Sequence, residues 1–208
     1  MAFKHNYTYD SIFYYYFPVF KIPVYVGAND GLVEKYKHIG TPFHGEDGFG
    51  NIIFDKHPNL SKIRTDEPAC IAMLRIVKQF PGTGHQLLGL RSSLVYLLKP
   101  NYNCWHVNEL YFLAGNITLV ALGPLTNVAA CINVDPSFTT QLNSIMLMGG
   151  NSHGEGNSTV CGEFNFHADP EAAKVVIDRA DCYVYIMPWE TCKNIDITWV
   201  VPGFFFKC

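Results

Sequence analysis

Two polar residues, Glu163 and Asn165, have the chemistry and the spacing needed to hold a sugar. In an extended backbone, side chains two residues apart point to the same side, so we expect these two to share one face while Phe164 turns into the core. A carboxylate accepts hydrogen bonds, and an amide both donates and accepts them. The pair could therefore bind two neighbouring sugar hydroxyls. The alternative interpretation is a surface loop that only caps a strand.

The elements that would position this pair follow an alternating pattern. Apolar runs typical of strands alternate with helical patterns, which predicts an α/β fold with a mostly parallel central sheet flanked by helices. Strands are predicted at residues 22–27, 117–122, 144–148 and 182–187, and helices at 67–80, 125–134 and 169–180. Each strand ends at a turn on one edge of the sheet, which is where such folds bind ligands. Asn157 lies in the polar loop that follows the strand at 144–148.

The start of the helix at 169–180 has three independent signals. Asp169 suits the cap position, Pro170 suits the first helical position, and Glu171 lies near the positive end of the helix dipole. By contrast, residues 83–115 show neither a clear periodicity nor a clean set of turn signals. A connection of that length is unusual in a compact domain.

Composition limits the class of protein. The chain has 208 residues, of which 49% are apolar and 16% are charged, with a formal net charge of −3. This predicts one globular domain over residues 1–208 and gives no electrostatic reason to expect a nucleic-acid partner. The apolar stretch at residues 11–20 is too short to span a bilayer and lacks the preceding basic region of a signal peptide, so no membrane association is expected.

The cysteines and glycosylation sequons point to different compartments. Seven cysteines are scattered without a CxxC pair, which favours reduced thiols and a cytoplasmic location. Four N-x-S/T sequons, at Asn6, Asn59, Asn116 and Asn157, keep a secreted protein open as the alternative.

Several motifs, taken in order, resemble the inosine-uridine-preferring nucleoside hydrolases. The resemblance covers residues 22–82 and 116–193 and implies a nucleoside hydrolase-like, Rossmann-like α/β fold. The matching segments are Phe43-His-Gly-Glu-Asp-Gly48, Leu122-Gly-Pro-Leu-Thr-Asn127, Met148-Gly-Gly, Gly156-Asn157, Glu163-Phe-Asn165 and Asp169-Pro-Glu-Ala-Ala173.

The resemblance implies hydrolysis of the N-glycosidic bond of ribonucleosides to ribose and free base, through an oxocarbenium-like transition state. It implies that Asn157, Glu163 and Asn165 contact the ribose hydroxyls. It also implies that Met148 lines the sugar pocket and that His44 lies beside the base. The expected partners are a small-molecule nucleoside and further copies of the chain in a homo-oligomer.

Calcium is the cofactor that the resemblance implies, with the backbone carbonyl of Thr126 as one ligand; the alternative role for Thr126 is helix capping. The family's DxDxxxDD cluster, which supplies the general base and most calcium carboxylates, has no counterpart here, nor does a downstream His-Asp pair. Calcium takes about six to eight oxygen ligands. We therefore expect an incomplete metal site, no assignable catalytic residue and little turnover.

Two alternatives follow from this departure. One is a non-catalytic protein that retains nucleoside or ribose binding, and the other is an α/β domain whose polar loops merely cap strands.

Family-like sequence stops at three joins, which border atypical ends at residues 1–21 and 194–208 and an atypical insertion at 83–115. We hypothesise that misassigned or unspliced coding sequence has been translated there. The sheet is then expected to be incomplete at both ends.

Overall fold

Strands and helices alternate through most of the described chain. The computed structural model describes residues 23–35, 63–79, 89–90, 95–98 and 117–195. In chain order the strands are β1 (Val24–Tyr25), β2 (Ile63–Arg64), β3 (Gly89–Leu90), β4 (Val95–Leu98), β5 (Thr118–Ala121), β6 (Ser144–Met148) and β7 (Tyr183–Met187). The α-helices are α1 (Ala69–Gln79), α2 (Thr126–Val134), α3 (Phe164–Ala168), α4 (Pro170–Arg179) and α5 (Trp189–Asn194), with a 3-10 turn at Thr139–Gln141.

These strands form two sheets that are mostly parallel. The first has the order β2-β1-β3, and both of its pairings are parallel. The second has the order β4-β5-β6-β7, in which β5, β6 and β7 run parallel and β4 is antiparallel to β5. The predicted α/β class with a mostly parallel sheet is confirmed.

The core lies against one face of the second sheet. Leu119 and Ala121 of β5 and Ile145 and Leu147 of β6 alternate along their strands and are buried in a single hydrophobic cluster. Apolar residues of α1, α2 and α4 complete this cluster, and α2 packs against both α1 and α4. Since side chains alternate across a strand, Met146 points to the opposite face, where it is 46% exposed.

The predicted start of the helix after residue 168 is confirmed in detail. Asp169 is the N-cap of α4, and its side chain accepts a hydrogen bond from the backbone N–H of Ala172. Pro170 is the first helical residue, and Glu171 lies in the first turn. An acidic cap and an acidic first turn both stabilise the positive end of the helix.

Residues 83–115 contain regular structure that sequence periodicity did not indicate. Strands β3 and β4 both fall there, and β4 pairs with all four residues of β5. A strand of two residues and one of four are too short to produce a distinct alternation of apolar and polar residues. Six positions of the segment thus form strands, and its interpretation as an atypical insertion stays a prediction.

The outer strand of the second sheet, β7, exposes an apolar face. Tyr183, Tyr185 and Met187 are 75%, 55% and 47% exposed, and among the described residues β7 pairs only with β6.

No helix in the described ranges is long and apolar enough to cross a membrane. The five cysteines that the structure describes are free thiols.

Candidate functional site

The candidate residues gather at the carboxyl ends of β5 and β6. Thr126 follows β5 as the first residue of α2, and Met148 is the last residue of β6. Because β5 and β6 are parallel, these ends lie at the same edge of the sheet. His44 and the surrounding segment 43–48 lie outside the described residues.

Glu163 is a buried helix cap. It is 2% exposed, and its Oε1 accepts a hydrogen bond from the N–H of Asn165 at 2.9 Å. Its Oε2 accepts from the N–H groups of Phe166 at 3.1 Å and Gly150 at 2.8 Å. The carboxylate therefore ties the start of α3 to the turn that follows β6.

The expected extended backbone at residues 163–165 is wrong. Only Glu163 is extended, and helix α3 begins at Phe164. The physical reason is the carboxylate of Glu163 itself, which binds the N–H groups of Asn165 and Phe166 and so stabilises the first turn of a helix. Phe166, rather than Phe164, is the aromatic ring found packed against the hydrophobic core.

Asn165 and Met148 are in direct contact. Asn165 is 6% exposed, and its Nδ2 donates a hydrogen bond to the backbone oxygen of Met148 at 2.9 Å and lies 3.2 Å from the Met148 sulfur. The structure thus brings together three of the predicted residues, Glu163, Asn165 and Met148, although through the helix α3 and not through a strand.

Asn157 contacts helix α3 from the 151–162 loop, which is the segment of residues 151–162 that precedes Glu163. Its Oδ1 accepts a hydrogen bond from the N–H of Phe164 at 2.7 Å. The turn containing Asn157 is closed by the oxygen of Gly162, which accepts from the N–H groups of Asn157, Ser158 and Thr159. Asn157 is exposed to solvent at this position.

Thr126 is held by an aspartate that sequence reasoning had treated only as a cap. The hydroxyl of Thr126 donates to Asp169 Oδ2 at 2.6 Å, and the N–H of Leu32 donates to the same oxygen at 2.9 Å. Asp169 is 2% exposed. It therefore joins the turn after β1, the start of α2 and the start of α4, and no short-range sequence signal indicates these longer contacts.

Glu190 is a buried acid that no sequence motif indicates. It is 7% exposed and accepts hydrogen bonds from the N–H groups of Ser152, at 3.1 and 3.0 Å, and of His153, at 2.8 Å. Burial by itself would raise the pKa of Glu190, but these backbone hydrogen bonds outweigh it and lower the pKa to about 2. The carboxylate is therefore ionised across the neutral range.

The described residues do not match the ligands that calcium requires. Within them, no group of three or more histidine, cysteine or acidic side chains lies close enough to hold a metal ion. The buried carboxylates of Glu163, Asp169 and Glu190 already accept backbone N–H groups. Thr126 could offer its carbonyl oxygen, but one oxygen is far short of the six to eight that calcium takes.

Comparisons with known proteins agree with the sequence resemblance. A family model described as inosine-uridine preferring nucleoside hydrolase matches residues 13–202. A probable uridine nucleosidase of rice is 30% identical over 156 residues, which are 75% of this chain and 37% of that protein. A pyrimidine-specific ribonucleoside hydrolase of Escherichia coli is 50% identical over 62 residues, which are 30% of this chain and 20% of that protein.

Among solved structures, a plant nucleoside hydrolase has a similar fold. It superposes with a TM-score of 0.62 at 26% identity, and the match covers 88% of this chain and 46% of that one. The chain thus spans less than half of the length of these relatives.

Proposed function

Because the chain belongs to the inosine-uridine preferring nucleoside hydrolase family, we propose that it binds ribonucleosides through their ribose and that the N-glycosidic bond is the bond it cleaves. The observation that carries this proposal is the cluster of Asn157, Glu163 and Asn165 around the start of α3, with Asn165 held against Met148. These are the residues that the family resemblance assigns to the sugar.

Each of the three polar side chains uses part of its hydrogen-bonding capacity on the protein and leaves part for a sugar. The carboxylate of Glu163 has about four acceptor sites and accepts three N–H groups, which leaves one for a hydroxyl. Asn165 donates through Nδ2 and retains its Oδ1 as an acceptor. Asn157 accepts through Oδ1 and retains its amide N–H groups as donors.

This division of roles explains how the site is held ready before ligand binds. The bonds to the backbone fix the three side chains, so little conformational entropy remains to be lost when the sugar binds. Hydrogen bonds to a sugar hydroxyl that strengthen as positive charge develops on the ribose would favour departure of the base. In the proposed complex Met148 lines the sugar and His44 lies beside the base.

Calcium is the ion that the family resemblance implies, but the described residues do not supply the oxygen ligands that it needs. The same poor fit favours a second candidate function, which is nucleoside or ribose binding without turnover. The carbonyl of Thr126 is the one calcium ligand proposed for this chain.

Release of ribose from uridine and inosine, measured with calcium and then with a chelator, tests the proposal. Uridine is a suitable first substrate because two relatives are named for uridine or pyrimidine nucleosides. Asn157→Asp keeps the acceptor for Phe164 and removes the amide donor, so it should lower ribose release. Asn143→Asp, at the opposite end of β6, is the matched control.

Three results separate the candidates. Calcium-dependent release that Asn157→Asp weakens and Asn143→Asp preserves would support hydrolysis. Nucleoside binding without release would support the non-catalytic alternative. A folded chain that neither binds nor cleaves a nucleoside would contradict both.

A further inference from the structure

We propose that Glu190 is a positioning residue for sugar binding, which acts by fixing the 151–162 loop and through it Asn157. This inference rests on the function proposed above. Glu190 lies 33 positions after Asn157 in the sequence, in the first turn of α5. It was not among the residues that the family resemblance selects.

Helix α5 holds the beginning of the loop at two adjacent places. The N–H of Trp189 donates to the oxygen of Gly150 at 3.0 Å. The carboxylate of Glu190 accepts from the N–H groups of Ser152 and His153. A buried carboxylate is costly unless it is hydrogen-bonded, so these two N–H groups are the condition for keeping Glu190 inside the protein. Separating the loop from α5 would leave the Glu190 carboxylate without these hydrogen bonds, which is energetically unfavourable.

Hydrogen bonds between the two halves of the loop connect the residues attached to α5 with the turn that carries Asn157. The side chain of Asn151 donates to the backbone oxygen of Cys161 at 2.7 Å. The N–H of Gly156 donates to the oxygen of Val160 at 3.0 Å, and the N–H of Asn157 donates to the oxygen of Gly162 at 3.2 Å. A shift of the first half of the loop therefore moves the turn that carries Asn157.

Two buried carboxylates, both later in the sequence than this loop, bind backbone N–H groups at its beginning. Glu163, the cap of α3, accepts from the N–H of Gly150, and Glu190 of α5 accepts from the N–H groups of Ser152 and His153. Glu163 also belongs to the proposed sugar site, whereas the described contacts of Glu190 are with the loop. That difference makes Glu190 a residue that acts through another and not on the sugar directly.

A second link between α5 and the loop is weaker. Lys193 forms an ion pair with Glu155, but both side chains are about half exposed, at 51% and 49%. Exposed ion pairs contribute little because solvent screens them. Glu190 is therefore the main attachment, and Lys193 offers a milder variant of the same experiment.

The decisive test measures loop order and ligand affinity in the same variants. Glu190→Gln keeps the size of the side chain but replaces one acceptor oxygen with an amide nitrogen that cannot accept. Hydrogen exchange of the Ser152 and His153 amides reports on the loop, and calorimetric titration with uridine reports on binding. Lys174→Ala, which breaks an exposed ion pair with Asp178 on α4, is the control.

We expect Glu190→Gln to accelerate exchange of both amides and to weaken uridine binding about tenfold, a change of about 1.4 kcal/mol. Glu190→Asp retains the charge and should bind uridine more tightly than Glu190→Gln. Lys193→Ala should weaken binding only about twofold. Lys174→Ala should leave exchange and affinity unchanged.

A double-mutant cycle with Asn157→Asp separates positioning from general destabilisation. If Glu190 acts through Asn157, the double variant should bind uridine no more weakly than Asn157→Asp alone, within about twofold. Multiplied effects in the double variant, or faster amide exchange with unchanged affinity, would overturn the positioning role. A native chain with protected Ser152 and His153 amides that binds no uridine would instead overturn the function on which the role rests.

Discussion

Replacing Glu163 with alanine should destabilise the protein substantially, independently of any effect on a ligand. The variant removes the cap of α3, which costs about 0.5–2 kcal/mol. It also leaves the partly buried N–H of Gly150 without its carboxylate partner, and an unsatisfied donor that is fully buried costs about 1–3 kcal/mol. Together the two effects give a loss of about 1.5–5 kcal/mol in the free energy of unfolding.

Chemical denaturation with urea measures this quantity directly, provided that the native and variant chains have equal slopes. Glu171→Ala is the matched control because Glu171 is an exposed acid in the first turn of α4, and its loss should cost no more than about 0.5–1 kcal/mol. A loss below about 1 kcal/mol for Glu163→Ala would refute the assignment of Glu163 as a buried cap. A binding defect in this variant must therefore be judged against its stability.

Three further predictions concern the loop and the outer strand. Gly156→Ala should disrupt the 151–162 loop and lower uridine affinity, because a Cβ there would lie 2.2 Å from the backbone oxygen of Thr159. Gly154→Ala is the control, since its Cβ meets no atom within 4 Å and should cost only the strain of a positive φ. Calorimetric titration with uridine compares the two variants. Since the folded-state pKa of Glu190 is below its ordinary value, the ionised carboxylate stabilises the loop above pH 4.5, and this contribution should be lost as the pH falls toward about 2. The NMR shifts of the Ser152 and His153 amides, followed against pH, report this titration. A titration midpoint at or above pH 4.5 would contradict the prediction. Tyr185→Lys on the outer strand β7 should reduce concentration-dependent light scattering, because a charge on an exposed apolar strand opposes self-association. Unchanged scattering would show that the exposed face of β7 does not drive self-association.

Local signals made some elements predictable to within one residue. Strand β6 spans residues 144–148 as expected, because an apolar run ends there at Gly149-Gly150. Helix α4 begins where Asp169 and Pro170 indicated, because a cap and a first-turn proline act on neighbouring residues. In both cases the physical cause lies within a few positions of the boundary.

The short helix α3 could not be predicted in the same way. Its cap is a glutamate, which is not among the residues usually preferred at that position, and the helix has only five residues. The polar pair Glu163 and Asn165 was therefore interpreted as a strand pattern. The two residues are joined by a hydrogen bond from the N–H of Asn165 to Glu163, but the backbone from Phe164 onward is helical and not extended.

The contacts that assemble the site were beyond sequence reasoning because they join distant residues. Thr126 and Asp169 are 43 positions apart, and Ser152 and Glu190 are 38 apart. Nothing in the spacing of an isolated acid reveals which backbone N–H groups it will bind. The family motifs predict which residues form the site, and the fold shows which partners hold them in place.

Titration of the native chain with uridine, ribose and uracil, followed by calorimetry, tests the central claim most directly. If the site recognises the sugar, uridine and ribose should bind, uracil should not, and Asn157→Asp should weaken both interactions. A folded chain that binds uracil as well as uridine, or that binds neither uridine nor ribose, would contradict the proposed sugar site.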